Sequence, residues 1–237
     1  MSSVFYDKLA HICHSLLENS LTLQNYYLKE RCLTKETIDK FVLGYFPKDL
    51  RELYKFIHPE DLKKQDIIWQ ADKSLYQLYP VVIPIRDFTG KTIALGHRTL
   101  ISDEKRKELN IPKYRNTSYS KSYHLFGLDS AIDSIRKNDL AFVVEGYFDV
   151  IFAHQCGFKN VVAPCGTALN NKQLILLSRY TNNICLLFDN DEPGRHSANR
   201  IYKKIDKQEM NISIKHTPHG KDLDEFLRNG GNFNNII

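Results

Sequence analysis

The sequence predicts an α/β protein (α+β overall), with a small helical and mixed α/β amino-terminal subdomain leading into a parallel sheet flanked by helices. Three observations lead there. Over the last hundred residues, short apolar runs alternate with helical periodicity, as in a parallel sheet covered on both faces. Over residues 4–57 the apolar residues recur at helical spacing. Between these regions, from residue 66, the runs become short, β-branched and aromatic.

In the first region Leu9, Ile12, Cys13, Leu16 and Leu17 mark a helix, and Tyr26, Tyr27 and Leu28 continue the apolar set. Thr34 is a candidate N-cap for a helix through Phe41 and Val42 that ends near Gly44. The middle region reads as strands at 67–69, 75–79 and 81–85. A turn at 86–90 then leads into a strand at 92–96, which makes an antiparallel hairpin with Arg86 and Arg98 near the strand ends. The last region reads as strand 140–144, helix 147–155, strand 160–163, helix 172–180 and strand 184–188. It continues with a helix bearing Ala198, Ile201, Tyr202 and Ile205 on one face, strand 212–215, helix 223–228 and a frayed Asn-rich tail at 229–235. The domain division expected is 1–138 (helical 1–65, mixed strands and basic segment 66–138) and 139–237.

The 237 residues are 42% hydrophobic and 26% charged, which excludes a disordered or fibrous chain. No apolar stretch approaches the ~20 residues of a membrane span, and no charged-then-apolar leader opens the sequence. No membrane partner is expected, and the location expected is cytoplasmic. The five cysteines are scattered with no C-x-x-C, which fits a reduced chain and argues against a zinc finger or ribbon; three of them read as small core residues. The net charge of +5 comes from one segment. Residues 86–121 hold nine Lys and Arg against four acids, and the rest of the chain is balanced. Such a stretch suits a polyanion-facing surface or a solvated loop.

In an open parallel sheet, ligands bind beyond the carboxyl ends of the strands. There the sequence places Glu145 with Asp149 a helical turn on, then Asp189 and Asp191, then Asp222 and Asp224. Like charges crowded together raise one another's pKa unless a cation compensates. Oxygen-only ligands suit Mg²⁺ or Mn²⁺. Asp189-x-Asp191 taken alone also reads as a turn and N-cap before Pro193.

The motifs Glu145-Gly-Tyr-Phe-Asp149, Asp189-x-Asp191 and Asp222-x-Asp224 resemble the Toprim domain shared by topoisomerases, DnaG-type primases and some nucleases. Asp189-x-Asp-x-x-Gly-Arg195, Pro218-x-Gly-Lys-Asp-Leu-Asp224, Pro84-Ile-Arg-Asp87, Gly96-His-Arg98, Lys113-Tyr-Arg-Asn116 and Leu125-Phe-Gly-Leu128 are similar, in the same order, to the primase branch. That resemblance implies a Toprim-like catalytic domain in which Glu145, Asp189 and Asp191 are catalytic and bind metal. Asp149, Asp222 and Asp224 would complete or support the metal-binding cluster. Arg86, Arg98, Lys113, Tyr114, Asn116 and Lys121 would line a surface for template and nucleotide phosphates. Tyr114, Tyr119 and Tyr123 are available for base stacking, whereas Lys105, Arg106 and Lys107 read as a solvated insertion.

The activity implied is template-directed synthesis of short RNA primers on single-stranded DNA from ribonucleoside triphosphates, at a replication fork, by Mg²⁺- or Mn²⁺-dependent nucleotidyl transfer. Members of the family usually carry a zinc ribbon and a helical helicase-binding domain. Neither is legible here, so no structural zinc is expected, and a replicative helicase would be met through regions outside this chain. The sequence reads as a fragment or as a minimal primase of a mobile element, phage or reduced genome. A Toprim nuclease or a non-catalytic nucleic-acid-binding module is the alternative.

Overall fold

The computed structural model of the protein describes residues 2–70, 73–164, 166, 168–204 and 210–236. Cys165 and Ile205 lie outside the described residues. The chain forms two compact units, one of residues up to 86 and 91–119, the other of residues 87–90 and from 120 onward.

In the first unit, α1 (Ser2–Ser15) buries Tyr6, Leu9, Ala10 and Cys13. Next comes α2 (Leu21–Asn25), capped by Ser20, which widens into a π-helical turn burying Tyr26 and Tyr27. Helix α3 (Lys35–Phe41) begins at the expected cap, Thr34 Oγ1 accepting the Thr37 N–H at 3.2 Å. After it come β1 (Gly44–Tyr45), α4 (Arg51–Tyr54), α5 (Pro59–Lys64), β2 (Val81–Arg86), β3 (Thr92–Arg98), α6 (Asp103–Glu108) and β4 (Tyr114–Asn116). The four strands form one antiparallel sheet in the order β1-β2-β3-β4, and the expected hairpin is its β2–β3 pair. Val82 and Leu95 from that sheet pack with Leu9, Cys13, Phe46 and Leu53.

Gly44 is where α1 and the sheet approach closest. A Cβ there would lie 2.6–2.8 Å from main-chain atoms of Cys13 and His14. Backbone cannot swing aside as a side chain can, so Gly44→Ala is expected to cost about 1–3 kcal/mol. The check is the urea midpoint, and an unchanged midpoint would mean that α1 shifts freely.

Two expected strands are absent. Ile67 and Ile68 are buried in the loop that closes α5, with the Ile67 N–H on Leu62 O at 2.9 Å. Residues Leu75–Leu78 form a 3₁₀ turn, because Ser74 and Gln77 make a reciprocal capping box. A short run of buried apolar residues looks alike in both settings. The Lys105–Lys107 stretch is the exposed helix α6, capped by Ser102, not a loop.

The second unit contains β5 (Leu125–Phe126), α7 (Leu128–Asn138), β6 (Ala141–Val143), α8 (Tyr147–Gln155), β7 (Val161–Pro164), α9 (Asn171–Ser178), β8 (Asn183–Leu186), α10 (Glu192–Lys204), β9 (Asn211–Ile214) and α11 (Leu223–Arg228). Its sheet runs β5-β7-β6-β8-β9, parallel from β7 to β9 as expected, with β5 antiparallel on one edge. Residues 120–138, ahead of the expected boundary at 138/139, pack with this unit. Leu125 and Phe126 pair with β7, and Leu128, Ala131 and Ile135 enter this unit's core.

The Asn-rich tail is anchored rather than frayed. Phe233 is buried, stacks on Phe158 at 4.3 Å and meets Phe142 edge-on at 4.9 Å. Cys13 and Cys185 are buried, whereas Cys32 and Cys156 are exposed. Among the described residues no helix is long and apolar enough to cross a membrane.

Candidate active site

The carboxyl ends of β6 and β8 lie side by side in the sheet, which brings Glu145 to Asp189: Glu145 Oε1 accepts the Asp189 N–H at 3.1 Å. Asp191 sits at the start of α10, with Oδ1 on the Gly194 N–H at 2.9 Å and Oδ2 3.9 Å from Lys221 Nζ. The N-cap role and the place in the acidic cluster are therefore both real for Asp191. Asp222 caps α11, its Oδ1 taking the Glu225 N–H at 2.8 Å. Buried Asp149 accepts two backbone N–H groups, from Gly146 at Oδ2 and from Asp224 at Oδ1, each at 2.9 Å. Asp224 is also buried and pairs with Arg228 at 3.0 Å.

The charges act on one another. Burial, then Glu145 and Asp222, push the Asp189 carboxyl up to about 7, against the pull of Lys221. Burial raises Glu145 as well; the Asp189 N–H opposes the shift, Asp191 and Asp222 add to it, and Lys221 counters it. Asp149 is raised well above the usual carboxylate range by burial, with Asp222, Asp224 and Asp189 adding repulsion against the Asp224 N–H. All six expected carboxylates therefore lie within one electrostatic neighbourhood.

Among the described residues no three His, Cys, Asp or Glu close on a single metal position. The donor set is nonetheless that of a hard dication. It is all oxygen, its full ionisation is opposed from within, and Mg²⁺ is usually held through one or two carboxylates with waters retained. Glu145, Asp189 and Asp191 fit that role. Asp149 is enclosed, buried with both oxygens accepting backbone N–H groups.

Three neighbours belong to this site although no role was read for them in the sequence. Asn190, the unassigned residue of Asp189-x-Asp191, donates through Nδ2 to Thr217 O, Thr217 Oγ1 and Gly220 O at 3.0, 2.7 and 2.9 Å. Its backbone N–H reaches Lys221 O at 2.7 Å, so one residue ties the 217–221 loop to the carboxylates. Gly194 leaves no room for a Cβ, which would collide with Asp189 O and lie 2.9 Å from Glu145 Oε1. Lys221 is the ammonium that the cluster senses. Gly194 and Lys221 stand inside motifs already legible in the sequence, whereas Asn190 is the unassigned position of its motif.

The expected basic set divides between the units. Arg98 and Tyr114 are cross-strand partners, with Arg98 Nη1 on the Tyr114 hydroxyl at 2.8 Å and the guanidinium over the Tyr114 and Tyr26 rings. Burial pushes the Tyr114 hydroxyl up to about 12. Asn116 pairs with Gly96 on the same sheet face, and exposed Lys113 precedes β4. Arg86 stands apart at the opposite end of the hairpin, ~17 Å away along β2, and its guanidinium donates to Lys40 O at 3.3 and 3.4 Å. Antiparallel pairing puts the carboxyl ends of consecutive strands at opposite ends of the hairpin, so Arg86 and Arg98 do not share one end of it. Lys121 lies in the second unit.

Comparison with known proteins places these features in a family. The model described as "DNA primase catalytic core, N-terminal domain" matches residues 12–132, half of the chain, and the model "Toprim-like" matches residues 142–227. The DNA primase of Synechocystis sp. is 38% identical over 222 residues, covering 85% of this chain and 34% of that protein. The crystal structure of the Aquifex aeolicus primase zinc-binding and RNA polymerase domains matches with a TM-score of 0.79 at 30% identity, over 98% of this chain and 59% of that one. A DnaG primase catalytic domain bound to single-stranded DNA matches with a TM-score of 0.76 at 26% identity, over 97% of this chain and 77% of that one. This chain spans about a third of the length of the curated relatives it matches. With the primase-core model on its amino-terminal half and the Toprim-like model on the sheet that carries Glu145 and Asp189, the chain belongs to the DnaG-type DNA primase catalytic core family.

Proposed function

We infer that this chain is the nucleotidyl-transfer core of a DNA primase, which builds short RNA primers on single-stranded DNA from ribonucleoside triphosphates. The observation that carries this reading is the set of mutually repelling carboxylates at the carboxyl edge of the second unit's sheet, in a chain of the primase family. Glu145, Asp189 and Asp191 would hold Mg²⁺ or Mn²⁺. When bound, the ion neutralises charge developing on the transferring phosphate and acidifies the attacking 3′-hydroxyl. Asp189, with its raised carboxyl, stays partly protonated near neutrality until a cation arrives. Asn190 holds the 217–221 loop so that Lys221 stays beside Asp191. Arg98, Lys113, Tyr114, Asn116 and Lys121 would guide template and nucleotide phosphates. The work belongs at the replication fork in the cytoplasm, with a replicative helicase as a further partner.

The test supplies single-stranded template, labelled ribonucleotides and Mg²⁺, with Glu145→Gln as control. Short oligoribonucleotides absent from the control support the primase. Cleavage of the template marks a Toprim nuclease instead, and salt-sensitive binding with neither product marks a binding module.

The basic residues should not be equivalent. Arg106 pairs with Asp103 on α6, whereas Lys113 is exposed beside β4. Lys113→Ala and Lys121→Ala should each weaken synthesis several-fold and flatten the salt dependence of template binding by ~0.7 in log–log slope per lost phosphate contact. Arg106→Ala should do neither, and equal losses at all three would overturn the assignment.

A further inference from the structure

Gln173 is fully buried in the second unit, a costly place for a carboxamide unless every polar atom is satisfied. Its Nε2 donates to Lys121 O at 3.3 Å and His124 O at 2.8 Å. Its Oε1 accepts from Asn170 N at 3.1 Å and Asn170 Nδ2 at 2.9 Å. Both donor and both acceptor positions are filled. This side chain fastens the 121–124 turn to the first turn of α9.

The fastening brings together a particular surface. Tyr123 is 54% exposed, a high value for a large aromatic ring. Lys172, one residue before the buried pin, sets its ammonium 4.2 Å from the centre of that ring and 2.7 Å from the phenol oxygen. Lys121 lies at the other end of the same turn. The sequence has no Asp or Glu from residue 109 to 128 or from 150 to 188, so neither segment supplies a carboxylate of its own. Asp87 reaches this region electrostatically at His124. The sheet order puts β7 and β5 one and two strands from β6, ~5 and ~10 Å from the strand that ends at Glu145. The cationic surface therefore opens beside the acidic edge of the same unit.

The geometry points to a single-stranded nucleic-acid contact at Tyr123 and Lys172, with Gln173 as the positioning residue that fixes it to the sheet edge. An exposed ring stacks on a base of any identity, and the ammoniums of Lys172 and Lys121 meet the phosphates on either side. The chemistry recognised is a flexible strand with accessible bases, since a duplex hides the faces that the ring would stack on. As a template or primer grip the contact rests on the primase reading; as a binding surface it does not.

The test is binding of a fluorescent oligothymidylate to the full chain between 50 and 200 mM salt. Tyr123→Ala should weaken binding by about five-fold or more, and Tyr123→Phe, which keeps the ring, should stay within about two-fold. Lys172→Ala should reduce the log–log salt slope by ~0.7. Gln173→Leu should reproduce the affinity loss of Lys121→Ala and speed amide exchange over residues 121–124. If Gln173→Leu fails to fold, the two surface substitutions decide the matter. Failure of the wild-type chain to bind the probe, or wild-type binding by both Tyr123→Ala and Lys172→Ala, would overturn the contact. Primer synthesis on the same samples separates the two readings. Binding that depends on Tyr123 without any primers keeps the contact and removes the primase, and normal primers together with wild-type binding by both variants do the reverse.

Discussion

Replacing Asp189 with Asn should nearly abolish primer synthesis and, at the same time, raise the melting temperature at pH 8. The activity loss follows from removing a carboxylate that would hold the ion; several kcal/mol of transition-state stabilisation corresponds to about a thousand-fold or more in rate. The gain in stability follows from the same charge. Asp189 is pushed to about 7 in the folded chain from 3.8, by burial and by Glu145 and Asp222. Between those two values the native state binds the proton more tightly than the unfolded state. Unfolding free energy therefore falls as pH rises from 3.8 to about 7, and above that the full penalty is present. Asn carries no charge to repel its neighbours, so its advantage should be largest at pH 7 and above and vanish below pH 4. For a chain of this size each kcal/mol moves the melting temperature by about 2–4 °C. Added Mg²⁺ or Mn²⁺ should stabilise the wild type at pH 8 and leave Asp189→Asn nearly unmoved. A variant that melts lower than wild type at pH 8 in the absence of metal would show that repulsion does not dominate the site.

That coupling of function to instability was legible in outline because the Toprim-like half writes itself plainly. Strands β6, β7 and β8 are buried on both faces, so each is a continuous apolar run, and the carboxylates stand directly after two of those runs. The first unit is written less clearly. β1 and β4 are only two or three residues long, too short for alternation to register, and the buried loop at 67–68 imitates a strand. The separation of Arg86 from Arg98 follows from the hairpin itself, which turns at 86–90 and leaves Arg98 at the far end of β3. Asn190 and Gln173 were not legible beforehand. A single amide becomes a hub only when distant backbone carbonyls converge on it, Thr217 and Gly220 in one case and Lys121 and His124 in the other. Polarity at a buried position was the available clue, and it needed burial to be known first.

Asp149 joins a place in the acidic cluster to a structural contact, and its substitution should have the largest effect on stability. The resemblance has it complete or support the metal cluster, and its two oxygens accept the N–H groups of Gly146 and Asp224, at the starts of α8 and α11. It therefore acts as a clasp between two helix N-termini, where a carboxylate also meets favourable dipoles. Asp149→Ala would strand both donors in a buried setting at about 1–3 kcal/mol each, partly offset by relief of its buried charge. A net loss of about 2–4 kcal/mol corresponds to a melting temperature roughly 5–15 °C lower. Asp149→Asn should fall between Ala and wild type, because its amide offers one acceptor oxygen to two N–H donors, while neutrality removes the repulsion from Asp222 and Asp224. The stabilisation by Mg²⁺ distinguishes a clasp from a ligand. It should persist in Asp149→Asn and disappear in Asp189→Asn. Loss of the Mg²⁺ effect in Asp149→Asn, with the melting temperature otherwise at the wild-type value, would return Asp149 to the ligand set.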